Sequence, residues 1–182
     1  MAAYDFSALR KSVAGMAREF QLKLGGLPGP VALYYPLESL NRLLGARLDA
    51  AGMEAALRAF AAEEAATTGG LGLSREGDRF CLRLSGEGAA RACEAYPDGG
   101  FLRDFLAVVS RPGVGSDDIL AVFTRYSGRV ERRAMPGGEF DELFCFTDGV
   151  PDDFRYCVKY EGLGATYHRF TPADFAALGL GT

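Results

Sequence analysis

Between residues 5 and 24 the apolar positions Phe6, Leu9, Val13, Met16, Phe20 and Leu24 recur at steps of three and four. That spacing predicts an amphipathic helix with one continuous stripe. Gly25-Gly26 ends it and Leu27-Pro28-Gly29-Pro30 forbids continuation. Residues 31–35, Val-Ala-Leu-Tyr-Tyr, then read as a short strand. Pro36 opens a helix carrying Leu37, Leu40, Leu43 and Leu44 and stopped at Gly45. Asp49 is the expected N-cap of a third helix over 50–66, with Met53, Leu57 and Phe60 on one face. Strand-like runs at 71–74 and 80–85 are joined through Glu76-Gly77-Asp78, a hairpin turn. A small Ala-rich helix follows over 88–95, and Tyr96-Pro97-Asp98-Gly99-Gly100 is the best boundary in the chain.

Two more helices are predicted beyond it, 101–109 and 117–127, the second capped by Ser116 with Asp117 and Asp118 at the positive end of its dipole. Residues 130–135 read as a strand ended by Pro136-Gly137-Gly138. From 139 to 171 come three runs rich in aromatic and β-branched residues, separated by Asp148-Gly149 with Pro151-Asp152-Asp153, and then by Glu161-Gly162-Leu163-Gly164. This is the pattern of an antiparallel meander. Closing its last hairpin through 161–164 sets Tyr160 opposite Ala165, Val158 opposite Tyr167, Cys157 opposite His168 and Arg155 opposite Phe170. Alternation then gives Phe154, Tyr156, Val158, Tyr160 and Tyr167 one face, the buried one, and Cys157, Lys159, Thr166 and His168 the other. Thr171-Pro172-Ala173-Asp174 opens a short last helix.

The prediction is an α+β protein. Residues 1–98 form a winged-helix-like helical half with a short hairpin. Residues 99–182 form a helix pair plus an antiparallel β-meander, packed with the first half on a shared core.

Composition narrows the chemistry. A hydrophobic share of 48% against 24% charged excludes wholesale disorder. The net charge of −4, with no basic excess in either half, argues against nucleic acid and against an anionic membrane as partner. No run approaches the roughly 20 apolar residues of a membrane span, and no secretory leader precedes the first helix. The four cysteines, at 81, 93, 145 and 157, form no CxxC pair, and with His168 the single histidine there is no zinc ligand set. A cytoplasmic protein with reduced thiols is expected. No metal and no cofactor is expected either: Gly-x-Gly recurs along the chain but never as GxGxxG, and the Asp148–Asp153 carboxylates lack the ligand spacing of a calcium loop.

The order helix, strand, helix, helix, strand, strand over the first 86 residues is that of a winged helix-turn-helix, with 71–85 as the wing. Its third helix offers Arg58 against Glu54, Glu63 and Glu64 and so suits a phosphate backbone poorly. The wing carries Arg75, Arg79 and Arg83, with Glu76 and Asp78 at its tip. The basic cluster Arg125, Arg129, Arg132 and Arg133 lies across a turn from Glu139, Asp141 and Glu142, which predicts a cross-strand charge ladder.

Cys157 opposite His168, with Asp141, Asp152 or Asp153 to orient the ring, has the residue types of a thiolate–imidazolium dyad. The blander reading, a carboxylate-bonded histidine beside a cysteine acting as apolar filler, is preferred, because no helix N-terminus or Gly-rich loop stands by to activate the thiol. No catalytic residue is assigned. A binding surface is expected around Tyr156, Asp152, Asp153, Cys157, His168 and Arg169.

Three segments together resemble a known family: Leu33-Tyr34-Tyr35-Pro36-Leu37-Glu38-Ser39-Leu40-Asn41, Asp148-Gly149-Val150-Pro151-Asp152-Asp153-Phe154-Arg155-Tyr156, and Tyr167-His168-Arg169-Phe170-Thr171-Pro172. The chain is similar over about residues 5–180 to an uncharacterised bacterial family, domain of unknown function 3877. The resemblance implies one evolutionary unit and carries over no activity, cofactor or catalytic residue. The expected function is a non-catalytic protein-interaction or accessory module with a protein partner. The alternatives are a winged-helix DNA-binding regulator and a small-molecule or hydrolytic enzyme using Cys157 and His168. The sequence specifies no oligomeric state.

Overall fold

The computed structural model describes residues 4–26, 29–96 and 100–180. Residues 27–28 and 97–99 of the predicted breaks lie outside the described residues. The chain divides into two compact units, Met1–Tyr96 and Pro97–Thr182.

The first unit runs α1 (Ser7–Leu24), β1 (Val31–Pro36), α2 (Leu37–Leu43), α3 (Ala50–Thr68), β2 (Leu71–Glu76), β3 (Arg79–Leu84) and α4 (Gly86–Glu94). Strand β3 is central, antiparallel to both neighbours in the order β1-β3-β2. Asp49 caps α3 as expected, its Oδ1 accepting from the Gly52 N–H at 2.8 Å. The β2–β3 hairpin is tighter than predicted. Glu76 still pairs with Arg79, which leaves Gly77-Asp78 as a two-residue loop with Gly77 at φ 63°. The core gathers Leu9 and Val13 of α1, Leu33 of β1, Met53 and Phe60 of α3, and Leu82 of β3. A second buried cluster joins Ala14 and Ala17 of α1 to Ala92 and Cys93 of α4. Only the first half of the α1 stripe is used: Phe6, Leu9 and Val13 are buried, whereas Phe20 and Leu24 stand in solvent.

The second unit runs α5 (Phe101–Val109), α6 (Ser116–Tyr126), β4 (Val130–Ala134), β5 (Glu142–Phe146), β6 (Arg155–Glu161), β7 (Gly164–Phe170) and α7 (Pro172–Ala177). All four strands form one antiparallel sheet in chain order. The β6–β7 register is the predicted one, from Arg155 opposite Phe170 to Glu161 opposite Gly164. The α6 cap is not. Ser116 is already helical, and the N-cap is Gly115, whose N–H is satisfied by Asp118 Oδ2 at 3.0 Å. A carboxylate reaching back from the first turn thus satisfies the N-cap's own N–H, and no side chain accepts at the N-cap position.

Aromatic rings build this unit's core. Phe101 and Phe105 of α5 and Phe123 of α6 pack edge-on against Tyr156, with ring centroids 4.9–5.6 Å apart. Phe144 and Phe146 of β5 complete the cluster against Phe123. The predicted buried face is therefore the face under α5 and α6. Its opposite is covered in part as well: Leu143 and Cys157 pack with Phe140 and with Phe175 of α7. Strand β5 consequently buries Leu143, Phe144, Cys145 and Phe146 in succession, without the alternation of a half-exposed strand.

Candidate functional site

The chain leaves β5 through Asp148-Gly149, crosses a cis Val150-Pro151 bond and enters β6 through Asp152-Asp153-Phe154. Turn chemistry uses the first acid. Asp148 accepts from the Val150 N–H at 3.3 Å and from the Ser127 hydroxyl at 3.1 Å. Asp152 turns inward and has no solvent exposure. Its Oδ1 accepts from the Phe154 N–H at 3.1 Å, and its Oδ2 from the Tyr156 hydroxyl at 2.6 Å. Arg169, opposite Tyr156 across the β6–β7 ladder, extends Nη1 to within 3.4 Å of the same hydroxyl and lies 4.6 Å over the Phe154 ring. Carboxylate, phenol and guanidinium thus stand in series at the start of β6. A buried charge is tolerated only when its lone pairs are engaged in this way.

Of the six residues expected to share a binding surface, the fold brings three together: Asp152, Tyr156 and Arg169. Asp153 stays on the loop, half-buried, and its carbonyl accepts from Arg155 at 3.0 Å. Cys157 and His168 do face each other in register, but on the other side of the sheet. One alternation step separates them from Tyr156 and Arg169.

That Cys–His pair lacks the setting of a dyad. Cys157 is fully buried, and desolvation pushes its thiol up to about 11. A thiolate nucleophile requires the opposite shift. His168 is exposed, its ring flanked by Phe140 at 5.4 Å and Phe170 at 5.9 Å between centroids. All four cysteines are free and buried. Alternation alone does not reveal this burial: α7 packs over the sheet face that carries the thiol.

A second polar cluster escaped the sequence reading. The Tyr160 hydroxyl donates to Glu142 Oε2 at 2.5 Å, and Arg132 reaches Glu142 Oε1 at 2.9 Å and Asp117 at 3.0 Å. Burial works to raise the Glu142 carboxyl, but the nearby Ser116 hydroxyl and the hydrogen bonds from Tyr160 and Arg132 hold it below its ordinary value. Burial and the neighbouring carboxylate raise the Tyr160 phenol. The predicted arginine–acid ladder is seen at Arg132, across the β4–β5 pair from Glu142. Arg125 turns instead to Asp104 at 3.0 Å, and Arg133 donates to the Leu180 carbonyl at 3.0 Å. The signal for it is Tyr160, which alternation places on the buried face, where a phenol needs a hydrogen-bond partner. Among the described residues no three His, Cys, Asp or Glu side chains are grouped to hold a metal ion. No helix among them is long and apolar enough to cross a membrane.

The family model for "Domain of unknown function, E. rectale Gene description (DUF3877)" matches residues 6–179. The chain belongs to the DUF3877 family. No curated protein and no solved structure matches it. The match spans both units of this DUF3877 chain, from the first residues of the α1 stripe to the segment after α7.

Proposed function

We propose that this chain is a cytoplasmic, non-catalytic protein-interaction or accessory module built partly on a winged-helix-like scaffold. The scaffold reading draws on the element order of the first unit and on its β1-β3-β2 sheet. The cytoplasmic reading draws on four free thiols.

One observation carries the interaction reading, and it is the outward face of α3. In a winged-helix DNA reader the third helix brings basic and amide side chains to the groove. Here Ala51, Ala55, Ala59, Ala62 and Ala66 are exposed along one line of that helix. Arg58, its single basic residue, is paired with Glu54 at 2.6 Å. Alanines flanked by acids give phosphate nothing to bind, whereas another helix can approach so smooth a face closely.

A DNA-binding regulator is the second reading, favoured by the exposed Arg75, Arg79 and Arg83 of the β2–β3 hairpin. A hydrolytic role for Cys157 and His168 is weaker than either, since burial holds the thiol protonated.

Fluorescence anisotropy of a random duplex, titrated at low and high salt, tests the choice. Flat traces are expected, together with capture of a discrete protein by a photo-crosslinker placed at Ala59 and loss of capture on Ala55→Arg. Duplex binding that weakens steeply with salt, or no capture from native lysate, overturns the interaction reading.

A further inference from the structure

The β1-β3-β2 sheet turns Leu33, Leu82 and Leu84 to the core of the first unit. Alternation puts Tyr34 of β1, Arg79, Cys81 and Arg83 of β3, and Ser74 and Glu76 of β2 on the other face. Tyr34, Ser74, Arg79 and Arg83 are all exposed there. Cys81, by contrast, has no exposure. Tyr34, its direct partner across the β1–β3 ladder, lies over it with the hydroxyl beside the thiol, and the tyrosine itself stays 42% exposed. A ring standing upright from the sheet would not shield the thiol. The Tyr34 ring is therefore laid along the sheet, with one aromatic face turned to solvent.

We propose that this face binds single-stranded nucleic acid, with a base stacked on the Tyr34 ring and the phosphates to either side taken by Arg79 and Arg83. The two arginines lie two residues before and two after Cys81 on β3, roughly 13 Å apart along the strand. The ring lies level with the midpoint between them. Among the described residues neither arginine forms an ion pair, whereas Arg58 and Arg91 on the helices of the same unit each hold a carboxylate. Glu76 stands opposite Arg79 in the ladder without pairing to it.

An exposed aromatic face flanked by uncommitted guanidinium groups matches a strand whose bases are free to stack and whose charge recurs at every residue. A duplex keeps its bases stacked on one another and offers Tyr34 no ring. A lone nucleotide would occupy the ring and only one of the two arginines. An acidic peptide would satisfy the arginines and leave the ring bare. The chain carries a net charge of −4, so the attraction is local to this face and the binding is weak and sensitive to salt. This face is separate from the outward side of α3, and the proposal does not rest on the interaction reading.

Fluorescence anisotropy of a short labelled oligouridylate, titrated with the full chain at several salt concentrations, provides the test. Saturable binding at low salt is expected, with a duplex of the same length binding more weakly. Tyr34→Ala should raise the dissociation constant about tenfold, the value of one lost stack, whereas Tyr34→Phe should bind as the wild type does. Arg79→Gln and Arg83→Gln alter exposed side chains without ion-pair partners and should leave the fold intact. Each should weaken binding and flatten the logarithmic salt dependence by about 0.7. Glu76→Gln should tighten binding, because it removes the acid beside Arg79. No binding of the oligouridylate at low salt overturns the proposal. Equal affinity for the duplex, or for an abasic strand without bases to stack, overturns it as well, as does unchanged binding by Tyr34→Ala or by both arginine variants.

Discussion

The Tyr156 hydroxyl donates to Asp152 Oδ2 at 2.6 Å, and neither side chain is exposed to solvent. The same carboxylate takes the Phe154 N–H on its other oxygen at 3.1 Å. One acidic side chain thereby closes the entry into β6, and the Tyr156 ring it holds is the one that Phe101, Phe105 and Phe123 pack against.

Tyr156→Phe keeps the ring and removes the donor, leaving a buried carboxylate oxygen without that bond. The expected loss is about 1–3 kcal/mol of stability, read as a lower urea midpoint. An unchanged midpoint would show that the bond contributes nothing net.

Cys157 supplies a pH test. Its thiol stays protonated in the folded chain up to about 11, against an ordinary value of 9.0. Between those values the unfolded chain has released a proton that the folded chain retains, so stability falls as pH rises. Thermal midpoints should be insensitive to this group below about pH 9 and decline from there to about pH 11. Cys157→Ala should decline less over the same window. Equal slopes for the two proteins would contradict the assignment.

Glu142 acts at the other end of the scale. Its carboxyl is held below the ordinary 4.5, so the folded state keeps the charged form where the unfolded chain takes up a proton. The stability it contributes is present above 4.5 and is lost as pH falls through the depressed folded value. Glu142→Gln should therefore flatten the acid limb of the stability profile. Its cost at neutral pH should be about 1–2 kcal/mol, from the weakened bonds to Tyr160 and Arg132. An acid limb as steep as that of the wild type would contradict this account.

Gly88 of α4 lies directly against the last residue of α3. A Cβ there would stand 2.3 Å from the Thr68 carbonyl oxygen. Both atoms belong to rigid backbone, and Gly88→Ala should cost about 1–3 kcal/mol or more through forced displacement. Gly52→Ala is the control within α3: its Cβ meets only side-chain atoms, none nearer than 3.1 Å. Similar losses in both variants, measured by chemical denaturation, would remove the close approach as the cause.

Much of the fold is legible locally. The caps at Asp49 and Thr171, the stop at Gly25 and the last hairpin's register each depend on groups only a few residues apart. The α6 cap differs from the expected one by a single residue: Gly115 is the N-cap, and Asp118 accepts from its N–H. The candidate site was half legible. Residue types and register brought Tyr156 and Arg169 together, and alternation separated Cys157 and His168 from them. Nothing local indicates that Asp152, three residues after Gly149 in an acidic turn, points inward while Asp148 and Asp153 do not.

Periodicity, turn residues and capping groups were enough to indicate the seven helices of the described residues to within a turn at their ends, the antiparallel meander and its last hairpin's pairing, because those terms are short-ranged. Burial is not short-ranged. Whether Cys157 is exposed or buried depends on Phe175, on a helix that follows β7 in the chain. Whether Phe20 and Leu24 are core or surface depends on where the packing partners of α1 end, and the uninterrupted stripe contains no mark of that point. Such outcomes are set by which elements cover which faces, a property of the assembled chain that appears only when distant segments compete for the same apolar area.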